Sequence, residues 1–221
     1  MVNEKSLKVT SPGSRFERRK KRTRHELLGA AVRVLSDKGF HDTKIADIAD
    51  AADVGVGTFY LHFETKNALF DALVDDTVHR LKATIDDARF SAADSVDRIR
   101  RANAAFCRFA HENREVFRIV FGHAAAYHDV IRRAQALFAA DVEENVREGI
   151  DQGVLVPVPT AVAAQAIVGM ATQILSWWTE NPSIPMKTLE DTMSTIALHG
   201  LLARAPERGR NPSTPAEEGV S

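Results

Sequence analysis

The chain has 221 residues, 44% of them hydrophobic and 27% charged, which is enough to bury a sizeable core within one or two domains. Its single cysteine, Cys107, allows no internal disulfide, so a disulfide-stapled secreted scaffold is excluded and a reducing compartment, the cytoplasm, is expected. The net charge of −1 is unevenly spread: residues 1–66 carry thirteen Lys/Arg against nine Asp/Glu, and the remainder sixteen against twenty-one.

Residues 1–20 are polar and hold Pro12, Gly13 and several serines, so they are expected to form a disordered basic arm. Charged residues interrupt residues 1–26 throughout, which argues against a secretory signal. The cations Arg15, Arg18, Arg19, Lys20, Lys21, Arg22 and Arg24 are opposed nearby only by Glu17. Two readings stand for them, a solvated tail or an arm that meets a polyanion.

From about Arg22 onwards, Leu27, Leu28, Ala31, Val34 and Leu35 recur at helical spacing, and Gly39 after Lys38 marks the helix end. Thr43 is expected to cap a short second helix carrying Ile45, Ile48, Ala49 and Ala52. Asp53-Val54-Gly55 interrupts it, a third short helix holds Thr58, Phe59, Tyr60 and Phe63, and Thr65 caps a fourth reaching about Ala88. Further helices are expected from Val96 to about His111, over Val116 to Phe121, from about Asp129 to Gln152, from Thr160 through Trp178, and from Thr188 onwards. The most apolar window, Val154 to Trp178, contains Pro157, Pro159, Thr160, Gln165 and Gln173, so no membrane span is expected. Residues 205–221 hold three prolines and little that is apolar, and read as a disordered tail. The fold class is all-α, with about nine helices and no strand pattern.

The segment Thr43 to Lys66, TKIADIADAADVGVGTFYLHFETK, resembles the DNA-binding motif of the TetR (tetracycline-repressor-like) family of bacterial regulators. The likeness spans residues 21–81, with the helix-turn-helix itself at 44–63. It rests on Gly57-Thr58-Phe59-Tyr60, His62-Phe63 and Lys66 in the family order. Independently of family, Ala51 and Ala52 are small enough for two short helices to meet at a tight turn. Ile45, Ile48, Val54, Phe59 and Phe63 can share a small core. The third helix would then offer Thr58, Tyr60 and His62, with Lys66 nearby, to phosphate oxygens. The expected DNA-binding set is Arg24, Thr43, Lys44, Val56, Gly57, Thr58, Tyr60, His62 and Lys66.

Two positions depart from the family pattern, Asp53 where a glycine is usual and Gly55 where a serine is common. Aspartate tolerates a left-handed backbone, and glycine is an acceptable N-cap. The consequence is chemical. Gly55 and Gly57 have no side chain with which to read bases, which leaves Val56 and Thr58 as base-edge candidates.

For residues 82–204 the resemblance implies an effector-binding and dimerisation domain, with subunits pairing through the last two helices. The helix after Thr160 is apolar almost all round, which fits either pairing or burial within one subunit. The expected interface residues are Ala166, Ile174, Trp178, Met193, Ile196, Ala197 and Leu201. Phe106, Phe109, Phe117, Phe121, Tyr127, Phe138, Met170 and Trp177 are pocket candidates, and ordinary core is the competing reading for each. Cys107 and His111 lie one helical turn apart, with His123 and His128 downstream, too thin a set to imply a metal. No glycine-rich phosphate loop, nucleophile elbow or metalloprotease histidine pair is present, so no enzyme and no cofactor are expected. The resemblance thus implies a regulator, by family default a repressor, that binds a palindromic or near-palindromic operator as a homodimer and leaves it on binding a small, mainly apolar effector.

Overall fold

A computed structural model describes the backbone of residues 12–122 and 128–201, and the side chains of residues 15–120 and 131–200. Nine helices and no strand occur among the described residues: α1 (Pro12–Asp42), α2 (Ile45–Ala51), α3 (Val56–Tyr60), α4 (Lys66–Phe90), α5 (Ser95–Glu112), α6 (Arg114–Gly122), α7 (His128–Asp151), α8 (Thr160–Glu180) and α9 (Met186–Leu201).

The expected arm is corrected from residue 12 onwards, because Pro12 opens α1 and residues 15–20 continue it as an exposed helix. Pro12 stands at the first helical position, where its missing N–H costs nothing, and arginine, lysine and glutamate are good helix formers. Regular helix stops at Gly39, whose φ of 77° and ψ of 164° no other residue type adopts without strain. Asp53 takes a φ of 54° in the turn between α2 and α3, so aspartate does hold the left-handed position there.

Thr43 does not cap α2. That position belongs to Lys44, whose N–H donates to the Asp47 carboxylate at 2.8 Å. The Thr43 hydroxyl points inward and donates to the Gly39 carbonyl at 2.6 Å. Thr65 and Asp94 cap α4 and α5 by accepting from the N–H groups of Ala68 and Asp97. α9 begins at Met186, two residues before the expected cap.

The first core joins Leu27, Leu28, Ala31 and Leu35 of α1 to Ile48, Phe59, Phe63 and to Leu69, Phe70, Leu73 and Val74 of α4. It also takes in Val116, Ile119 and Val120, so α6 is packed directly against the N-terminal helices. A second core gathers Leu81, Phe109, Phe117, Leu175, Trp178 and Leu189 from α4, α5, α6, α8 and α9. α8 is the one described helix long and apolar enough to cross a membrane, yet it packs on α7, α6 and α9.

Candidate functional site

At the N-terminal end, α2 and α3 are fixed by bonds from distant residues. Arg33 donates to the Ala51 carbonyl at 2.9 Å, closing the last turn of α2. Lys38 pairs with Asp47 at 2.9 Å, and that bond, with the Lys44 N–H, holds the Asp47 carboxyl below the usual carboxylate range. Lys66 reaches back from the start of α4, donates to the carbonyls of Phe40 and Thr43, and lies 4.3 Å from the centre of the Phe40 ring.

These bonds sort the expected DNA-binding residues. Lys44, Val56, Gly57 and Tyr60 are each exposed, at the ends of α2 and α3, with Tyr60 more than half exposed. Arg24 is exposed, and its guanidinium lies 5.1 Å from the centre of the Phe63 ring. Thr58 is half-buried beside Lys20, Thr23 and Asp53 in a groove between α1 and α3. Two residues leave the expected set. Thr43 is buried with its hydroxyl engaged, and the Lys66 ammonium is committed to main-chain carbonyls. His62 is half-buried with its Nδ1 enclosed, and burial followed by Lys20 and Arg24 pushes its pKa down. It stands as a neutral ring rather than a cation for phosphate. The roles of Arg33 and Arg118 are not legible in the sequence because their partners lie 18 and 82 residues away.

At the other end, α4, α5, α6, α7 and α8 line a partly open, mainly apolar cavity of about 80 Å³. Its walls include Val74, Val78 and Leu81 of α4, Phe106, Val116 and Phe117, and Phe138 of α7. A second cavity of about 100 Å³ shares Phe106, Phe138 and Thr172 with it, but is lined also by Lys82, Asp86, Arg89, Asn103, Asp141 and Asn145. Lys82 of α4 is ion-paired with Asp141 of α7, and this bond raises its pKa.

Of the aromatics expected to line a pocket, Phe106, Phe117 and Phe138 do. Phe109 is core, edge-on to Phe117 with ring centres 6.3 Å apart. Met170 lies in a surface groove between α8 and α9, and Trp177 is about half exposed. Phe121 and Tyr127 lie outside the residues whose side chains are described.

The expected interface set is corrected in turn. Trp178 and Met193 are buried inside the subunit, and Ile174 packs on the second core. Ala166 and Ile196 line the α8–α9 groove with Ala197 at its floor, while the Leu201 side chain is outside the described set. Cys107 is buried, which pushes its thiol pKa up to about 12. Among the described residues no three His, Cys, Asp or Glu are grouped to hold a metal.

A helix-turn-helix joined to a larger helical domain defines a class, that of helix-turn-helix DNA-binding regulators. Residues 27–73 match the family model for bacterial regulatory proteins of the tetR family, and residues 92–201 that for the tetracyclin repressor-like C-terminal domain. The chain belongs to the TetR family of helix-turn-helix, DNA-binding transcriptional regulators. It is 22% identical to the HTH-type transcriptional regulator YhgD of Bacillus subtilis over 80% of this chain and 95% of that one. It is 32% identical to the transcriptional activator FasR of Mycolicibacterium smegmatis over 49% of each chain. The fold is similar to the fatty acid degradation regulator FadR of Bacillus halodurans, with a TM-score of 0.74 at 21% identity, covering 80% of this chain and 94% of that one. It is also similar to FadR of Bacillus subtilis, solved in complex with stearoyl-CoA, with a TM-score of 0.73 at 17% identity, covering 80% and 98%.

Proposed function

We propose that this cytoplasmic regulator represses its targets by binding a near-palindromic operator as a homodimer, and leaves the operator when a mainly apolar small molecule enters the cavity. In this reading Val56, Gly57 and Thr58 enter the major groove, while Lys44, Tyr60 and Arg24 meet the backbone. Residues 21–81 carry the DNA-binding unit and residues 82–204 the effector and pairing unit.

The observation that carries the proposal is the double attachment of α6. Val116, Phe117 and Val120 line the cavity, while Glu115 and Arg118 of the same helix bond to α1. The Ser36 hydroxyl donates to Glu115, and Arg118 donates to the Ser36 carbonyl at 3.0 Å. The Ser36 bond and then Arg118 hold the Glu115 carboxyl below its ordinary range, so this latch is charged at neutral pH. α4 makes a second link, lining the cavity with Val74, Val78 and Leu81 and gripping the α1–α2 turn through Lys66.

Volume supports movement on binding. Each cavity is smaller than the ~150 Å³ that holds a benzene in an engineered protein core. In this reading a larger ligand displaces Phe106 or Phe138 and the helices that carry them. A conformation that accommodates the ligand would then differ from the one that fits DNA, which is the differential affinity that release requires.

The test begins with duplexes selected from a random pool by the purified protein. Operator affinity is then titrated with and without saturating stearoyl-CoA, the ligand of one similar structure. A loss of about 5–150-fold, with the same factor for ligand affinity when operator is present, is the expected outcome. Bound ligand with unchanged operator affinity would overturn the release mechanism.

A further inference from the structure

We infer that α3 reads its operator by thymine methyl groups, through Val56 flanked by the bare backbone of Gly55 and Gly57. This rests on the docking of α3 in the major groove stated above. On helical spacing Val56, Gly57 and Tyr60 share one side of α3, while Phe59 is turned into the core. Gly55, Val56, Gly57, Tyr60 and Leu61 are exposed, and the Tyr60 hydroxyl is the one side-chain hydrogen-bonding group among them. The Thr58 side chain is half-buried in the groove beside Lys20, Thr23 and Asp53. A helix so furnished offers no bidentate partner for guanine or adenine. What it presents is apolar surface, and the apolar feature of the major groove is the C5-methyl group of thymine.

Neither glycine is required by the fold. Gly55 has an ordinary extended backbone, with φ −72° and ψ 152°, and Gly57 lies within α3. A Cβ added to either would meet no heavy atom within 4 Å beyond its chain neighbours and the local helix backbone. At Gly149, by contrast, an added Cβ would come within 2.6 Å of Leu155 Cδ1, so packing explains that glycine. The space beside Val56 therefore lies outside the subunit, and a surface docking there comes closer by the side chain that each glycine lacks. Valine is short, and this approach brings its methyl groups within reach of a base edge. Charge complementarity names the surface as DNA, since Lys20 and Arg24 of α1 and Lys44 at the start of α2 are exposed cations around α3.

Duplexes are selected from a random pool by the full-length protein, and each thymine of a selected half-site is then replaced in turn by deoxyuridine, which lacks only the C5-methyl. At one thymine or more the exchange should weaken binding about fourfold, the worth of one buried methyl group. Val56→Ser should bind the thymine and deoxyuridine duplexes alike, because the apolar partner of the methyl is gone. Gly57→Ala should keep or raise Tm, since alanine is the better helix former, yet bind the operator roughly tenfold more weakly because the added Cβ holds α3 off the bases. Deoxyuridine exchange without cost at every position, a cost that persists in Val56→Ser, or wild-type operator affinity in Gly57→Ala would each overturn the methyl reading. Lys44→Ala tests the docking separately, and should weaken binding to all duplexes alike. If it does so while the methyl tests fail, the docking stands and only the methyl reading falls. If Lys44→Ala and Val56→Ser both bind the selected duplexes as the wild type does, the docking of α3 is refuted, and this inference with it.

Discussion

At the scale of single residues, Lys66 shows how identity can be legible while role is not. Its position after Phe63 marks the family motif, and a lysine at a helix start beside a DNA-binding helix suggests a phosphate. The structure gives its ammonium main-chain carbonyls of the α1–α2 turn instead. Those partners lie 26 and 23 residues upstream, beyond any local spacing rule. The two roles predict opposite results for Lys66→Ala. A phosphate contact would lower the salt slope of DNA binding by roughly 0.9 and leave folding alone. A carbonyl clamp should instead cost about 1.5–3 kcal/mol of stability, seen as a fall in Tm, with the salt slope unchanged. Thermal unfolding and a salt titration on the same variant distinguish them. The adjacent pair Trp177 and Trp178 teaches the same lesson by another route. On a helix that is apolar nearly all round, hydrophobicity cannot say which of two neighbours turned 100° apart faces the core. Trp178 does, with its indole N–H donating to the Ile184 carbonyl at 3.0 Å, and Trp177 is left outside.

At the scale of elements, hydrophobic period and terminating residues were the legible part. Gly39 and Thr65 stand at helix ends, where their backbone or side-chain chemistry places them. The beginning of α1 departs from the expected arm because a lack of apolar residues does not by itself prevent a helix. A run of arginine and lysine is also a run of helix formers, and Pro12 is a start signal for a helix. The difference matters for binding, since a helix presents Arg15, Arg18, Arg19 and Arg22 at fixed positions where an arm would spread them. Glu17→Pro separates the two. It removes a negative charge, so electrostatics alone would strengthen DNA binding. Proline inside a helix breaks it at a cost of about 3 kcal/mol, so the variant should bind more weakly if the helical extension contributes. Equal or tighter binding in a filter or mobility-shift assay would leave the extension as charge alone.

At the scale of the whole molecule, the part the sequence left open is how apolar surface divides between core, cavity and exterior. Val162, Ala166, Met170 and Trp177 fall along one line of α8, and Ile196 of α9 stands beside it. Val162 is 66% exposed, Ile196 53% and Trp177 48%, so this face is not covered within the subunit. A self-complementary stripe of this kind suits a two-fold axis, where each residue meets the same surface on a second copy. The axis would set two α3 helices on one side of the dimer, able to reach half-sites about 34–36 Å apart or a multiple of that distance. Ile196→Asp should therefore convert the protein to monomer at micromolar concentration in sedimentation experiments. Ile196 lies outside the three buried clusters, so its fold should persist, judged by an unchanged helical circular dichroism spectrum. Operator affinity should fall towards that for random duplex, because one helix-turn-helix reads only one half-site. Trp178→Ala supplies the contrast. It removes a buried side chain rather than an exposed one, and should lower Tm by opening a cavity, at about 3–5 kcal/mol, in whichever association state it is measured. A dimer that survived Ile196→Asp, with a footprint showing no dyad, would place the pairing surface elsewhere and remove the geometric basis for a palindromic operator.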